Sequence, residues 1–266
     1  MKQGSGYPRN PEGKIRRMVT LKAVNLNGRT AIVTGGGIRV GRSIALGLAG
    51  AGADVFVHYN RSATPAEETA EAVRSLGVRA ATGSVDLSDP STAGEVVDLA
   101  EQALGTPSIL VNSASGFPTD TIGDVTLDGW RRTLDLTLAS PVFATQAFAK
   151  ALPEDLDGAV VNITDVRTQS PYREHFSYIV AKGGIDTFTR TAALQLGPRI
   201  RVNAVALGVI LPPPNEDDAY ASRLAAGLPL ERVGGTEPVV AAVLSLLENG
   251  FVTGEIMRVD GGGHLL

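Results

Sequence analysis

Residues 30–49 have the sequence TAIVTGGGIRVGRSIALGLA, and this segment constrains the fold more strongly than any other. It begins with a short β-branched run typical of a strand, continues through a glycine-rich turn, and ends in a helical pattern from Arg42 to Ala49. Glycines in such a turn let the backbone approach a pyrophosphate, and the free N–H groups at the start of the helix attract the anion. The segment therefore predicts a dinucleotide-binding unit of strand, turn and helix.

Strand and helix patterns alternate through the rest of the chain. Further strands are predicted at 54–58, 81–85, 108–112, 159–163, 199–206 and 255–259, and helices at 66–76, 91–104, 127–149, 178–196 and 237–247. Residues 209–230 interrupt the alternation with a short helix at 219–226, which indicates a loop that covers the substrate. This order predicts an α/β fold with a parallel sheet.

Length and composition fit one α/β domain and argue against several other classes. The chain has 266 residues, of which 43% are hydrophobic, and its net charge of −4 argues against a nucleic-acid-binding surface. The absence of cysteine excludes disulfides and fits a reducing, cytoplasmic compartment, and three scattered histidines do not predict a metal site. Residues 1–26 contain no sustained apolar run, so we expect a mobile N-terminal extension rather than a signal peptide or membrane segment, followed by a single domain over residues 27–266.

A candidate catalytic group surrounds the strand pattern at 159–163. Asp165 follows that strand, at the edge where open α/β sheets place functional groups. Tyr178 and Lys182 are four residues apart on the next predicted helix, so their side chains share a face. An ammonium beside a phenol favours the ionised phenol, and we therefore expect Lys182 to lower the pKa of Tyr178 and make it a usable proton donor. An isolated Tyr-x-x-x-Lys is usually a surface pair, but Asp165 thirteen residues earlier favours a catalytic role.

These motifs resemble the short-chain dehydrogenase/reductase family, and the resemblance extends from Asn27 to the C-terminus. Asn203, Thr253-Gly254 and Asp260-Gly261 match the family's later positions. The resemblance implies a doubly wound Rossmann fold, with a seven-stranded parallel sheet in the order 3-2-1-4-5-6-7 and helices on both faces. It also implies that Lys182 holds the nicotinamide ribose, and that the segments 127–149 and 178–196 build a homotetramer.

Two departures from the family pattern narrow the resemblance to the pteridine reductases. Arg39 stands where the family usually has a glycine, and in pteridine reductases this arginine reaches both the cofactor phosphate and the pteridine. Asp165 stands where the family usually has a serine that hydrogen-bonds the substrate carbonyl. Thr137 aligns with an asparagine that the family uses to hold a water in its proton relay, which puts that relay in doubt here, although a threonine can also hydrogen-bond a water.

The end of the second strand predicts the cofactor. It offers His58, Tyr59, Asn60, Arg61 and Ser62 and no carboxylate to accept the ribose hydroxyls of NAD, so a 2′-phosphate and therefore NADPH are favoured. With these five residues, the resemblance assigns the following to the cofactor site: Gly35, Arg39, Val40, Asp86, Leu87, Asn112, Ala114, Tyr178, Lys182 and Gly208.

The resemblance also assigns a substrate site. Ser115 corresponds to a serine that meets the pteridine ring, and Phe117 to an aromatic residue that stacks over it against the nicotinamide. With Arg39, Asp165 and Tyr178, they predict NADPH-dependent reduction of a dihydropterin such as dihydromonapterin or dihydrobiopterin, or of dihydrofolate, to the tetrahydro form. Two alternatives stay open: a carbonyl reductase of the 3-oxoacyl or sugar-alcohol kind, and a regulator that binds NADPH without turnover.

Overall fold

The computed structural model describes residues 23–213 and 216–266. Seven parallel strands form one sheet in the order β3-β2-β1-β4-β5-β6-β7, as the family resemblance implied. The strands are β1 (Thr30–Val33), β2 (Asp54–Tyr59), β3 (Ala80–Ser84), β4 (Pro107–Asn112), β5 (Gly158–Asp165), β6 (Ile200–Leu207) and β7 (Ile256–Val259). After β3 the chain crosses to the opposite side of β1, where it forms β4. This reversal of strand order creates a crevice at the carboxyl ends of β1 and β4.

Eight α-helices connect the strands within the described residues. They are α1 (Arg39–Gly50), α2 (Ala63–Arg74), α3 (Glu95–Leu104), α4 (Leu127–Leu134), α5 (Ser140–Ala151), α6 (Phe176–Leu196), α7 (Asp218–Ala225) and α8 (Glu237–Glu248). None of these helices combines the length and the apolar character that a membrane crossing requires.

The core lies on both faces of the sheet because successive strand residues point to opposite sides. Ile32, Phe56 and Leu110 pack into one cluster with α3 and α5, while Val33, Val57 and Val111 pack into the other with α1 and α8. Burial on both faces explains why the strand patterns are continuous apolar runs rather than alternating ones.

The single helix predicted at 127–149 is two helices separated by one turn of π-helix, Asp135–Ala139. The cause is Pro141 near the start of α5, because proline has no N–H to donate to the carbonyl of Thr137. The Ser140 N–H correspondingly donates to the carbonyl of Asp135, five residues back. The π turn places Thr137 in the interior beside the loop that follows β4.

The folded part of the chain begins earlier than residue 27. Leu26 is only 3% exposed and belongs to the core, and the Val24 N–H donates to the carbonyl of Glu248, 2.8 Å away. The predicted extension was therefore wrong for residues 23–26, of which Val24 and Leu26 pack into the core cluster that also contains side chains of α8. The rest of that extension, residues 1–22, lies outside the described residues.

Candidate active site

The structure brings Asp165, Tyr178 and Lys182 together at the end of β5. The Tyr178 hydroxyl donates to Asp165 Oδ2, with 3.0 Å between the oxygens, and the Arg167 N–H donates to Asp165 Oδ1 at 2.8 Å. Lys182 Nζ donates to the carbonyl of Ile163 at 2.7 Å. All three functional side chains are buried. Tyr178 and Lys182, four residues apart on α6, therefore both face the end of β5, as their spacing predicted.

Burial dominates the electrostatics of this group. It raises the pKa of the Asp165 carboxyl, against the opposing effects of the Arg167 N–H, the Tyr178 hydroxyl and the Lys182 charge. Burial, followed by the negative charge of Asp165, raises the pKa of Tyr178 well above 10. Burial lowers the pKa of Lys182 to about 8, although Asp165 and Asp186 oppose it. The prediction that Lys182 lowers the pKa of Tyr178 is therefore wrong here, because its Nζ bonds to a backbone carbonyl and lies 5.6 Å from the phenol ring centroid.

The glycine turn has the close backbone packing that a pyrophosphate site requires. Gly35 has a φ of 64°, and a Cβ there would lie 3.1 Å from the Ala114 Cα. A Cβ on Gly41 would lie 2.2 Å from the carbonyl oxygen of Gly35. Helix α1 begins directly after the turn and has no acidic residue in its first turn. The exposed backbone at this helix start suits the phosphates of a dinucleotide.

His58 is placed differently from the prediction that it contacts the cofactor. It is 2% exposed, its Nδ1 accepts the Gly35 N–H at 3.1 Å, and its Nε2 lies 3.0 Å from the carbonyl of Val85. A neutral ring protonated on Nε2 satisfies both contacts, and burial lowers its pKa below the usual 6.5. His58 therefore supports the glycine turn from the protein interior, because its buried ring contacts Gly35 through one nitrogen and Val85 through the other.

Of the remaining residues of the second strand end, Asn60 and Arg61 are exposed, and Tyr59 and Ser62 are partly buried. The Asn60 side-chain amide donates to Asp86 Oδ1 at 2.9 Å, and the positive charge of Arg61 also acts on this carboxylate. Bonds from Ser88 are the main cause that lowers the pKa of Asp86. Ser62 precedes α2, and Tyr59 is partly buried against the core. Asn60, Arg61 and Ser62 are therefore the members of the predicted set that can face a 2′-phosphate.

Several predicted cofactor residues hold the walls of the crevice. The Leu87 side chain is buried in the core and its carbonyl accepts the Ser140 hydroxyl at 2.6 Å, so its side chain is not a ligand. Asn112 donates to the side chain of Asn162 at 2.8 Å and thereby joins β4 to β5. A Cβ on Gly208 would lie 2.6 Å from the Asp260 Cα. Val40 is partly buried against the core.

Besides Asp165 and Tyr178, the predicted substrate residues lie on the loop between β4 and α4 and at the glycine turn. The hydroxyls of Ser115 and Thr137 are 3.3 Å apart. The ring of Phe117 meets Tyr178 edge-on, with centroids 4.8 Å apart, and remains 39% exposed. Arg39 has a φ of 52°, a left-handed conformation that glycine adopts freely, and its guanidinium donates to the carbonyl of Pro212 at 2.6 Å. Arg39 thus joins the glycine turn to the loop at 209–230.

Sequence reasoning missed two residues, His175 and Asp120, that hold the loop between β4 and α4 against the start of α6. His175 stacks on Phe117 with centroids 3.8 Å apart, and its Nδ1 lies 2.7 Å from the carbonyl of Pro118. Asp120 accepts the Ser177 N–H at 3.0 Å and the Ser177 hydroxyl, and so caps α6 from another segment. His175 could have been found from its place between Asp165 and Tyr178. Asp120 had no such signal, because its partner is 57 residues away in the sequence.

A cavity of about 530 Å³ lies elsewhere, between α8, β7 and the loop at 209–230. Its lining contains Arg232 and Arg258 among mostly apolar side chains and none of the three catalytic candidates. We locate the active site by the chemistry at the end of β5 rather than by the size of this cavity.

A doubly wound parallel sheet with a glycine turn and a buried Asp-Tyr-Lys group defines an oxidoreductase of the Rossmann class. The chain belongs to the short-chain dehydrogenase/reductase family. Residues 37–264 match the family described as enoyl-(acyl carrier protein) reductase. A short-chain type dehydrogenase/reductase from Picea abies is 31% identical over 257 residues, which cover 89% of this chain and 93% of the relative. Glucose 1-dehydrogenase 2 from Bacillus subtilis is 30% identical over 246 residues, which cover 90% and 95%.

Among solved structures, the chain is similar to FolM alternative dihydrofolate reductase 1 from Brucella canis, crystallised in complex with NADP. The TM-score is 0.87 and the identity 36%, with 91% of this chain and 96% of the FolM chain covered.

Proposed function

We propose that this short-chain reductase is an NADPH-dependent pteridine reductase, which converts a dihydropterin such as dihydromonapterin or dihydrobiopterin, or dihydrofolate, to the tetrahydro form. The observation that carries the proposal is the 3.0 Å hydrogen bond from the Tyr178 phenol to the buried Asp165 carboxylate. A carboxylate beside a substrate carbonyl would repel the oxyanion that develops during ketone reduction. Beside a ring nitrogen, the same group can bind a proton and pass it on.

The proposed chemistry needs a proton donor next to a ring carbon–nitrogen double bond. NADPH, when bound, supplies the hydride to the ring carbon, and the protein delivers a proton to the adjacent nitrogen. The raised pKa of Asp165 brings its protonation closer to neutral pH, whereas the raised pKa of Tyr178 moves that of the phenol further away. We therefore assign the proton transfer to Asp165, with Tyr178 orienting its Oδ2 and Lys182 binding the nicotinamide ribose.

The preference for NADPH rests on the second strand end. Asn60, Arg61 and Ser62 supply donors and a positive charge for a 2′-phosphate, and Asp86 is engaged by Asn60 and Ser88. FolM, 36% identical to this chain, was crystallised with NADP. Both observations support NADPH as the cofactor.

The substrate proposal is tested by following NADPH absorbance with five candidate substrates. The panel contains dihydromonapterin, dihydrobiopterin, dihydrofolate, an acetoacetyl thioester and a keto sugar. The proposal is supported if the enzyme reduces a dihydropteridine and reduces neither of the two carbonyl compounds. Turnover of a carbonyl compound alone favours the alternative carbonyl reductase, and NADPH binding without any turnover favours the regulator.

We further propose that the chain forms a homotetramer in the cytoplasm. Large apolar side chains are exposed on three of the helices, namely Leu127 on α4, Phe143 on α5, and Val180 and Leu194 on α6, with Leu194 85% exposed. Val180 and Leu194 are four turns apart on one face, and a Cβ on Gly183 beside them would meet nothing within 4 Å. Light scattering after size exclusion should give four chain masses, and Leu194→Glu should lower this number. A monomeric parent protein would contradict the assembly.

A further inference from the structure

Asp186 is a buried carboxylate that the proposed proton transfer does not use. It lies on α6, one turn after Lys182, and is 8% exposed. Its Oδ1 accepts the Thr164 hydroxyl at 2.6 Å and its Oδ2 accepts the Thr168 hydroxyl at 2.7 Å. Thr164 directly precedes Asp165 on β5, and Thr168 follows it in the turn Val166–Thr168. One carboxylate thus fastens the chain on both sides of Asp165 to the catalytic helix.

The charge of Asp186 also acts on Lys182. The groups that face Lys182 are Asp165 from β5, and Tyr178 and Asp186 from α6, while Arg167 acts on Asp165 from the following turn. Burial lowers the pKa of Lys182 to about 8, and the negative charges of Asp165 and Asp186 oppose this shift. Tyr178 stays neutral because its pKa is raised well above 10.

The two carboxylates differ in what happens to them during the reaction. Asp165 takes up and releases a proton in the proposed mechanism, so its charge changes within each turnover. Asp186 has both oxygens engaged by the hydroxyls of Thr164 and Thr168 and takes no part in the proposed proton transfer. Of the two carboxylates whose charges act on Lys182, Asp186 is therefore the one that the proposed mechanism leaves unchanged.

We propose that Asp186 is a positioning residue of the active site, which fastens the strand end around Asp165 and serves as the permanent counter-charge of Lys182. This inference rests on the proposed roles of Asp165 and Lys182 but not on the pteridine substrate. It can therefore be tested with whichever compound of the panel the enzyme reduces.

The test is Asp186→Asn, which keeps the shape of the side chain and removes its charge. The amide can still accept one threonine hydroxyl and donate to the other, so α6 stays fastened to the strand end. Without this counter-charge the pKa of Lys182 falls further, and the ammonium is lost at a lower pH. In a profile of kcat/KM from pH 6 to 10, the alkaline limb should move to lower pH. The rate should fall about tenfold at pH 8.5 and less than about threefold at pH 6.5.

The matched control is Thr168→Val, which removes one bond to the carboxylate and leaves the charge. Its alkaline limb should stay within about 0.3 pH units of the parent enzyme, even if the rate falls at every pH. NADPH affinity measured over the same pH range needs no turnover, and Asp186→Asn should lose it from a lower pH than the parent protein. An unmoved limb and unmoved NADPH binding in folded Asp186→Asn overturn the proposal, as does an equal shift in Thr168→Val. Absence of pteridine turnover in the parent protein overturns the proposed substrate. The role of Asp186 is then decided by NADPH affinity over the same pH range and by the pH profile with whichever other compound the enzyme reduces.

Discussion

Replacing Asp165 with serine separates the proposed pteridine chemistry from ordinary carbonyl reduction. The substitution removes the acceptor of the Tyr178 hydroxyl and of the Arg167 N–H, which bind its two oxygens at 3.0 and 2.8 Å. It also removes the group whose raised pKa suits proton transfer. Serine is the residue that the wider family uses to bind a substrate carbonyl.

The size of the effect follows from two contributions. A hydrogen bond to a charged group contributes about 1.5–3 kcal/mol, which corresponds to roughly 10- to 150-fold in rate if the bond acts only in the transition state. General acid catalysis contributes about 10²- to 10⁴-fold. Because the two contributions involve the same carboxyl, they overlap, and we expect pteridine turnover to fall by about 10²- to 10⁴-fold rather than by their product.

The measurement is kcat and kcat/KM for the dihydropteridine and for an acetoacetyl thioester, in the parent enzyme, Asp165→Ser and Asp165→Asn. Asparagine keeps the size of the side chain and its acceptor for Tyr178 but cannot transfer a proton. Both variants should lose pteridine turnover, NADPH affinity should stay within about threefold, and thioester reduction should stay absent or rise slightly in Asp165→Ser. Undiminished pteridine turnover in Asp165→Ser would falsify the role of Asp165 and remove the main support for a pteridine substrate.

Three further predictions concern the walls of the site. Phe117→Ala should raise the KM for the pteridine by about two- to tenfold, because aromatic stacking contributes about 0.5–1.5 kcal/mol, with NADPH binding nearly intact; an equal loss of NADPH affinity in a titration would make Phe117 a structural residue. NADPH should be preferred over NADH by tenfold or more in kcat/KM, and Arg61→Ala should reduce this preference by about tenfold, since a charge-assisted contact contributes about 1.5–3 kcal/mol; equal efficiency with NADH in the parent enzyme would refute the assignment. His58→Gln should lower the free energy of unfolding by about 1–3 kcal/mol through its two lost contacts. Because burial depresses the pKa of His58 in the folded state, the unfolded chain binds more protons, and the contribution of His58 to stability should fall as the pH drops below 6.5. Thermal melts from pH 5 to 7 should therefore show a steeper loss of stability in the parent protein than in His58→Gln. Equal slopes would count against the buried neutral ring.

Much of the fold could be predicted from the chain because the signals are local. The β-branched run and glycines of residues 30–41 favour a strand followed by a tight turn, and the structure has β1, the turn and then α1 in this order. The alternation of apolar strands and amphipathic helices along the chain favours a parallel sheet, since each crossover helix must cover a face. The division between α4 and α5 was missed although its cause, Pro141, is itself local.

The meeting of the three catalytic candidates, Asp165, Tyr178 and Lys182, was predictable for a similar reason. Tyr178 and Lys182 share a face because a helix repeats every 3.6 residues, and Asp165 ends the strand that precedes this helix. Their spacing allows the three side chains to meet, and their residue types are those that titrate or bind protons, which made them candidates for the active site.

Only the tertiary structure decided the environments of these residues. His58 turned inward to hold Gly35, burial rather than Lys182 set the pKa of Tyr178, and Asp120 and Asp186 joined segments distant in sequence to α6. These outcomes depend on which side chains lose contact with water and on pairs of groups many residues apart. Neither the burial of these side chains nor the pairing of distant groups is encoded in a local pattern, because both arise when the helices pack over the sheet.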